Sequence, residues 1–241
     1  MFQMAFPTGV ATVEIIPESA RLNVNRATPV ELLRLLAAMG VAADRAMVVA
    51  EAIVDWRTEN PGGSPLDQFY LSMGPTFLPR HASLEQIEEL LYVRGVTPDL
   101  FHGTWARDAN GVLSRLPGLK DCLTVYGIND AYDINTTPLP VLLAIGVPPD
   151  VAAMIVRRRM ERPFLTAGEA APVLAMAGGK LRLGGNSTYT LRATATLRTQ
   201  APAMVSDLRR SVAMVVKFNQ NMKDDLTPYW ILRWHDNAGT N

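Results

Sequence analysis

Three predicted strands near the C-terminus, the first with almost strict alternation of its side chains, limit the fold most strongly. They are 188–197 (TYTLRATATL), 211–218 (SVAMVVKF) and 229–234 (YWILRW), and residues 219–225 predict a turn between the last two. At the other end, residues 10–25 predict two further β-rich runs around a turn at Pro17. Short strands rarely fold alone, so both ends of the chain must contribute to one sheet. We predict an α+β fold in which a helical insertion interrupts a β-containing domain.

The first part of the insertion carries clear helix signals. Thr28 is a good N-cap, Pro29 suits the first helical position, and Glu31 completes a capping box. Gly40 is the expected stop, and a second helix is predicted over 44–57.

Later parts of the insertion are less regular. Residues 83–93 predict an amphipathic helix with Ser83 as its cap and Gln86 as the capping-box partner. We expect helix or loop over 99–116 and a short strand at 123–126.

The insertion also contains an internal repeat. Residues 23–27 and 133–137 are each followed by a helix, a glycine (Gly40 or Gly146) and a second helix. An Asn before each first helix can satisfy its free N–H groups, and the glycine permits a sharp turn. The pattern predicts a duplicated helix-hairpin unit.

Such hairpins can bind nucleic acid, so a helix-hairpin-helix DNA-binding protein is the alternative function. Phosphate binding by these turns needs backbone N–H donors, and Pro148 and Pro149 have none, while Ala42 replaces a glycine in the first copy. The chain is also neutral, with 23 basic and 23 acidic side chains. We therefore interpret the hairpins as packing devices. The basic residues beside the second hairpin are then expected to form a solvated face: Arg157, Arg158, Arg159 and Arg162.

Signatures of enzymes, disulfides and membrane spans are missing from the sequence. No nucleophile elbow, zinc-protease motif or dinucleotide fingerprint is present, and we predict a protein that is not an enzyme. Cys122 is expected to be a small buried hydrophobe. His81, His102 and His235 lie away from any Cys or His at ligand spacing, so we expect surface or hydrogen-bonded core histidines. Prolines interrupt the most apolar stretch, 138–156.

One loop could hold a metal ion. Asp55, Asn60 and Asp67 lie around a Pro-Gly-Gly turn, and calcium prefers carboxylate, amide and carbonyl oxygens. A polar surface loop is the alternative, because Asp and Asn favour turns in any case. Calcium is the predicted cofactor.

Seven motifs follow one another along nearly the whole chain. They are Asn23–Ala27, Asp55–Trp56, Asp67–Tyr70, Ile87–Val96, Ile134–Thr137, Pro163–Thr166 and Tyr229–Trp234. In this order they resemble the K component of the bacterial type II secretion pathway, the general secretion pathway protein K family.

The resemblance implies a minor pseudopilin at the tip of the periplasmic pseudopilus. Its implied partners are the I and J minor pseudopilins, with no nucleic acid, and its implied role is support for the export of folded proteins across the outer membrane. The implied fold is a pilin-like β scaffold with two SAM-like helical subdomains. The resulting domains are 1–22 and 185–241 for the pilin-like part, with 23–126 and 127–184 for the helical subdomains.

The resemblance also has implications for metal binding by the loop after Asp55 and for attachment to the membrane. Family members carry calcium in the Asp-Trp loop, which implies Asp55, Asn60 and Asp67 as ligands, although Thr58 and Leu66 replace the usual acidic residues. The family begins with a leader and an apolar helix, which implies a periplasmic domain anchored in the inner membrane. That helix is one expected packing surface, and the pilin-like β region is a second.

Overall fold

The computed structural model describes residues 2–107, 111–127, 131–198, 205–219 and 228–238. The chain forms two compact units. One comprises Met1–Ala20 with Gly184–Asn241, and the other comprises Arg21–Leu183. The first unit is an antiparallel sheet and the second is mainly helical, which confirms the predicted α+β fold. The finer division of the helical part into 23–126 and 127–184 stays a prediction.

The elements follow one another along the chain in this order: β1 (Phe2–Phe6), β2 (Gly9–Pro17), a 3-10 turn (Glu18–Ala20), β3 (Leu22–Asn23), α1 (Pro29–Ala38), α2 (Ala43–Arg57), α3 (Asp67–Leu71), a 3-10 helix (Ile87–Tyr92), α4 (Pro98–His102), β4 (Gly103–Arg107), β5 (Leu113–Pro117), α5 (Leu119–Cys122), β6 (Leu123–Thr124), β7 (Tyr132–Asp133), α6 (Leu139–Ala144), α7 (Pro149–Glu161), α8 (Ala167–Met176), β8 (Leu181–Arg182), β9 (Thr188–Arg198), β10 (Val205–Phe218) and β11 (Tyr229–His235).

The sheet unit contains five antiparallel strands in the order β1-β2-β9-β10-β11. All three strands predicted near the C-terminus are confirmed, and the N-terminal run ends in the 3-10 turn at the expected place. A bulge between Val215 and Val216 shifts the register of β10 against β11. Most of the predicted turn after Phe218, residues 220–225, lies outside the described residues.

The helical unit begins as its capping signals predict. The side chain of Thr28 accepts a hydrogen bond from the N–H of Glu31, whose carboxylate accepts one from the Thr28 N–H, completing the capping box. Helix α1 ends before Gly40, which has a φ of 79°. Helix α1 packs against α2 and also against α6, the first helix of the second hairpin.

One hydrophobic core runs through the helical unit. It joins residues of both repeat copies, and two short parallel bridges, β3 with β6 and β7 with β8, tie each copy to a later segment. Its largest fully buried side chains are Tyr70, Phe101, Leu32, Leu35, Leu36, Ile53, Leu90, Leu119, Leu123, Ile134, Leu142 and Ile145. The helical hairpins therefore act as packing elements, as predicted.

The prediction of an amphipathic helix over 83–93 is wrong in two respects: the helix starts later, and it is a 3-10 helix. The side chain of Asn25 accepts a hydrogen bond from the Leu84 N–H and donates one to the Leu84 carbonyl, both at 2.8 Å. This pairing occupies the Leu84 carbonyl, which in a helix starting here would accept from the N–H four residues later. A 3-10 helix forms instead from Ile87, with Gln86 as its N-cap and Glu89 as the capping-box residue.

The expectation for 99–116 was also incomplete. Among the described residues of this range only α4 is helical, and β4 and β5 then pair in antiparallel fashion. Gly103 has a φ of 86°, and a Cβ added there would lie 2.4 Å from the Leu116 carbonyl oxygen. This close backbone approach at a glycine ends α4 and starts β4.

Candidate functional site

Three ionisable side chains meet beside the loop that follows α2. Asp55 lies in the last turn of α2, Asp67 begins α3, and His81 lies in the loop after α3. One potential ligand atom from each lies within 4.8 Å of the others. The structure therefore brings together two of the three predicted residues, Asp55 and Asp67, and adds His81.

His81 is held by hydrogen bonds from both ring nitrogens. Nδ1 lies 3.2 Å from the carbonyl oxygen of Asp55, and Nε2 lies 2.9 Å from Oδ1 of Asp67. Burial of the ring opposes its positive charge, but the bonds to Asp67 and Asp55 outweigh it and raise the pKa of His81. The Ser64 N–H, 2.9 Å from Oδ2 of Asp67, is the largest cause of the lowered pKa of that carboxyl.

One carboxylate oxygen of Asp55 has no hydrogen-bond partner in this cluster. Its Oδ2 is buried and has no hydrogen-bond partner among the residues described. Buried carboxylate oxygens normally have a partner, so this oxygen lacks a hydrogen bond that its burial would normally require.

The other residues of the calcium prediction have local roles. The Asn60 side chain donates to the Gly63 carbonyl and shapes the turn, and the Thr58 hydroxyl donates to the Val54 carbonyl, 2.6 Å away at the end of α2. Leu66 packs against the core. Calcium favours oxygen ligands, and the third group found here is an imidazole, so the described cluster fits calcium poorly. Calcium at this loop stays an untested prediction.

Sequence reasoning missed His81. No Cys or His lies near it at ligand spacing in the sequence, and its partners are two aspartates. A signal was present, because His81 follows Asp67 by 14 residues in the same loop region. His102 is exposed, as expected.

The arginines beside the second hairpin do not form a uniformly solvated face. Arg159 is partly buried and donates to two backbone carbonyls, Arg158 lies over the ring of Phe164, and Arg162 pairs with Glu169. The solvated-face interpretation is wrong for Arg159. Its guanidinium is used inside the fold and is not presented to a ligand.

Cys122 is fully buried, which confirms the packing role predicted for it. Burial, with a smaller contribution from Asp121, raises the pKa of its thiol to about 12. A thiol of this kind is a poor nucleophile, because the reactive thiolate is scarce at neutral pH.

One face of the sheet unit is apolar and open. The register places side chains from all five strands on the same face, and nine of its large hydrophobic side chains are between 42% and 54% exposed. We call these nine the apolar sheet face: Phe2, Met4, Phe6, Ile15, Leu197, Phe218, Tyr229, Ile231 and Trp234. No helix in the described part of the chain is long and apolar enough to cross a membrane.

Comparison with known proteins gives a consistent result. Residues 17–103 match the family model for Type II secretion system (T2SS), protein K. Among solved structures, the chain is similar to one from the crystal structure of the GspK-GspI-GspJ complex of the enterotoxigenic Escherichia coli Type 2 Secretion System. The match has a TM-score of 0.61 and 17% identity, and it covers 99% of this chain and 83% of that chain. No curated protein matches the sequence significantly.

Residues 17–103 are thus similar to protein K of type II secretion, and nearly the whole chain shares the fold of a chain from that complex. This similarity agrees with the resemblance that the ordered motifs carry.

Proposed function

We propose that this chain assembles with the I and J minor pseudopilins at the tip of the pseudopilus and supports export of folded proteins across the outer membrane. The family match supports a role in type II secretion, and the similar solved chain comes from a complex of K, I and J components. The proposed role is exerted through protein contacts, without catalysis. The proposed location is the periplasm, with an anchor in the inner membrane.

The apolar sheet face is the observation that carries this proposal. Nine large hydrophobic side chains lie on one face of a five-stranded sheet. Contiguous apolar surface of this kind marks an interaction site, because soluble proteins rarely leave it open to water. The resemblance implies apolar helices as pseudopilin packing elements, and such helices would cover this face.

Burial of this face would supply substantial free energy. Each large side chain that goes from half exposed to buried contributes about 1 kcal/mol at roughly 25 cal/mol per Å². A charged group introduced there would lose hydration without gaining a partner, so it would oppose assembly strongly.

The test is a pair of matched charge substitutions. Ile231→Asp places a carboxylate on the apolar sheet face, and Met160→Asp places one on α7, where the side chain is 81% exposed. Each variant is mixed with purified I and J pseudopilins from the same bacterium, and complex formation is followed by size-exclusion chromatography and calorimetry.

We expect Ile231→Asp to weaken assembly at least about tenfold, since an apolar contact site loses more than 1.4 kcal/mol when it must accept a charge. Met160→Asp should bind like the wild type. In a strain that lacks its K component, only Met160→Asp should restore secretion. Unchanged assembly of Ile231→Asp, with a normal thermal melt, would refute a role for this face. Failure of the wild-type chain to bind I and J would refute the proposed function itself.

A further inference from the structure

We propose that the groove between α1 and α2 binds a basic amphipathic helix of a partner protein. In this complex the partner's apolar side chains lie on the floor of the groove, and its lysines or arginines face an acidic rim. The inference concerns the helical unit and does not depend on the proposed assembly role.

The groove lies on one face of the first hairpin and has a volume of about 560 Å³. Its floor is apolar and is formed by Pro29 and Leu33 of α1 and by Met47, Ala50 and Val54 of α2. The three residues of α2 are spaced three and four positions apart, so they form one stripe along the helix. At 1.5 Å per residue the stripe extends about 10 Å, which is two turns of a helix.

The floor is open to water. Met47 is 52% exposed, and Leu33 and Val54 are only partly buried although they pack against the core. Covering these side chains would be favourable, because apolar surface would leave water. Helices α1 and α2 already pack against each other, and a third helix seated between them would make the same ridge-and-groove contacts. The shape therefore suits an amphipathic helix that lays its apolar face in the groove.

The rim of the groove is acidic. Glu51, Asp55 and Glu59 line it, whereas no lysine or arginine lines it in the described part of the chain. The side chains of Glu51 and Glu59 make no ion pair with any residue that the structure describes. The chain as a whole is neutral, with 23 basic and 23 acidic side chains, so the negative charge is a local property of this groove. Charge complementarity favours a cationic occupant.

The acidic positions are unfavourable for α2 itself. Glu51 and Asp55 are four residues apart on one helix face, where like charges repel each other. Asp55 lies in the last turn of α2 and Glu59 follows its end, near the negative end of the helix dipole. Lysines or arginines of a bound helix would offset both effects, which a purely apolar occupant would not do.

The experiment measures binding of fluorescein-labelled peptides to the whole chain by fluorescence anisotropy. The first probe is a helical peptide of leucine and lysine, with its leucines three and four positions apart so that they form one stripe. A second probe has glutamate in place of every lysine, and a third has serine in place of every leucine. Each titration is repeated with calcium chloride and with a chelator.

We expect the leucine–lysine probe to bind, and to bind more weakly at high salt because the charges are then screened. Both other probes should bind at least about tenfold more weakly, since one lacks the complementary charge and the other lacks the apolar contacts.

Two substitutions change the groove without touching a residue of the calcium prediction. Glu51→Lys reverses one charge of the rim and should weaken binding of the leucine–lysine probe at least about tenfold. Met47→Gln keeps the length of the side chain but makes it polar, and it should weaken binding about three- to fivefold. Both positions are exposed, so both variants should melt like the wild type.

Three matched controls lie outside the groove. Glu88→Lys reverses an exposed charge in the 3-10 helix, and Met160→Gln changes an exposed methionine of α7. Ile231→Asp changes the apolar sheet face. All three should bind the leucine–lysine probe like the wild type.

Equal affinity of the Glu51→Lys and wild-type chains, or of the wild-type chain for the lysine and glutamate probes, would overturn the inference. Equal binding of the serine probe would show a purely electrostatic contact and would also overturn it. Loss of binding in Ile231→Asp would place the probe on the apolar sheet face, and displacement by calcium would assign the carboxylates to the ion. Either result, or no binding of the leucine–lysine probe, would overturn the inference. None of these outcomes bears on assembly with the I and J pseudopilins.

Discussion

Arg57 and Arg159 perform the same task in the two copies of the internal repeat. Each guanidinium, at the end of the second helix of its hairpin, donates to two backbone carbonyls in the segment before the first helix. For Arg159 the acceptors are Ile134 at 3.1 Å and Thr137 at 2.7 Å. Each hairpin is thus closed by a charged hydrogen-bond donor, so the repeat preserves an interaction as well as a chain pattern.

Arg159→Ala should lower the free energy of unfolding by about 2–4 kcal/mol, because two hydrogen bonds to a charged donor are lost and their carbonyls stay partly buried. Urea denaturation measures this change. The control is Arg157→Ala on the same helix, an exposed position where we expect a change within about 0.5 kcal/mol. Equal stability of the two variants would contradict the closing role of Arg159.

The asparagines of the repeat make a second equivalent contact. Asn135 accepts from the Phe164 N–H and donates to the Phe164 carbonyl, both at 2.9 Å, as Asn25 does with Leu84. Asn135→Asp should cost about 1–3 kcal/mol, because a carboxylate has no N–H to donate and would face a carbonyl oxygen.

A matched substitution isolates the missing donor. Asn186 uses its side-chain oxygen to accept from the Ser187 N–H, so Asn186→Asp keeps this bond and should leave stability nearly unchanged. Denaturant midpoints of the two variants provide the comparison. If Asn135→Asp is as stable as Asn186→Asp, the two-way pairing with Phe164 does not stabilise the fold.

Local signals in the sequence predicted the parts of this fold that depend on local interactions. The capping box at Thr28 and Glu31 joins residues three positions apart, and the alternation of β9 reflects the period of a strand. The start of the 3-10 helix was not predictable in this way, because Asn25 fixes Leu84 from 59 positions away. The candidate site was predicted only in part. The two aspartates flank one loop and are visible in the sequence, whereas the position of His81 depends on how that loop folds back.

Burial of Cys122 predicts resistance to alkylation. With a pKa of about 12, roughly one thiol in ten thousand is ionised at pH 8, and the side chain is fully buried. Iodoacetamide should therefore leave the native chain unmodified over hours at pH 8 and label it rapidly in urea. Mass spectrometry measures the labelled fraction. Because the pKa is raised, reactivity of a still folded chain should increase only as the pH approaches 12. Rapid labelling of the native chain at pH 8 would show that the thiol is accessible.

Substitution of the turn glycines of the two hairpins should lower stability to different extents. Gly40 and Gly146 have φ angles of 79° and 84°, in the left-handed region that disfavours a side chain. Gly40→Ala should cost about 1–2 kcal/mol from backbone strain alone, because nothing lies within 4 Å of its added Cβ. At Gly146 the Cβ would lie 3.3 Å from the Lys180 ammonium, which donates to the Ile145 carbonyl and closes the turn. Gly146→Ala should therefore be the more destabilising change.

The control for both changes is Gly168→Ala, within α8, where φ is not positive and the added Cβ also meets nothing within 4 Å. That variant should be neutral or more stable by about 0.5–1 kcal/mol, because alanine loses less entropy than glycine in a helix. Gly40→Asn should recover part of the stability lost in Gly40→Ala, since asparagine tolerates the left-handed region better. Thermal and urea unfolding of the four variants rank these effects. A Gly40→Ala chain as stable as Gly168→Ala would contradict the strained turn as the reason for glycine in the hairpins.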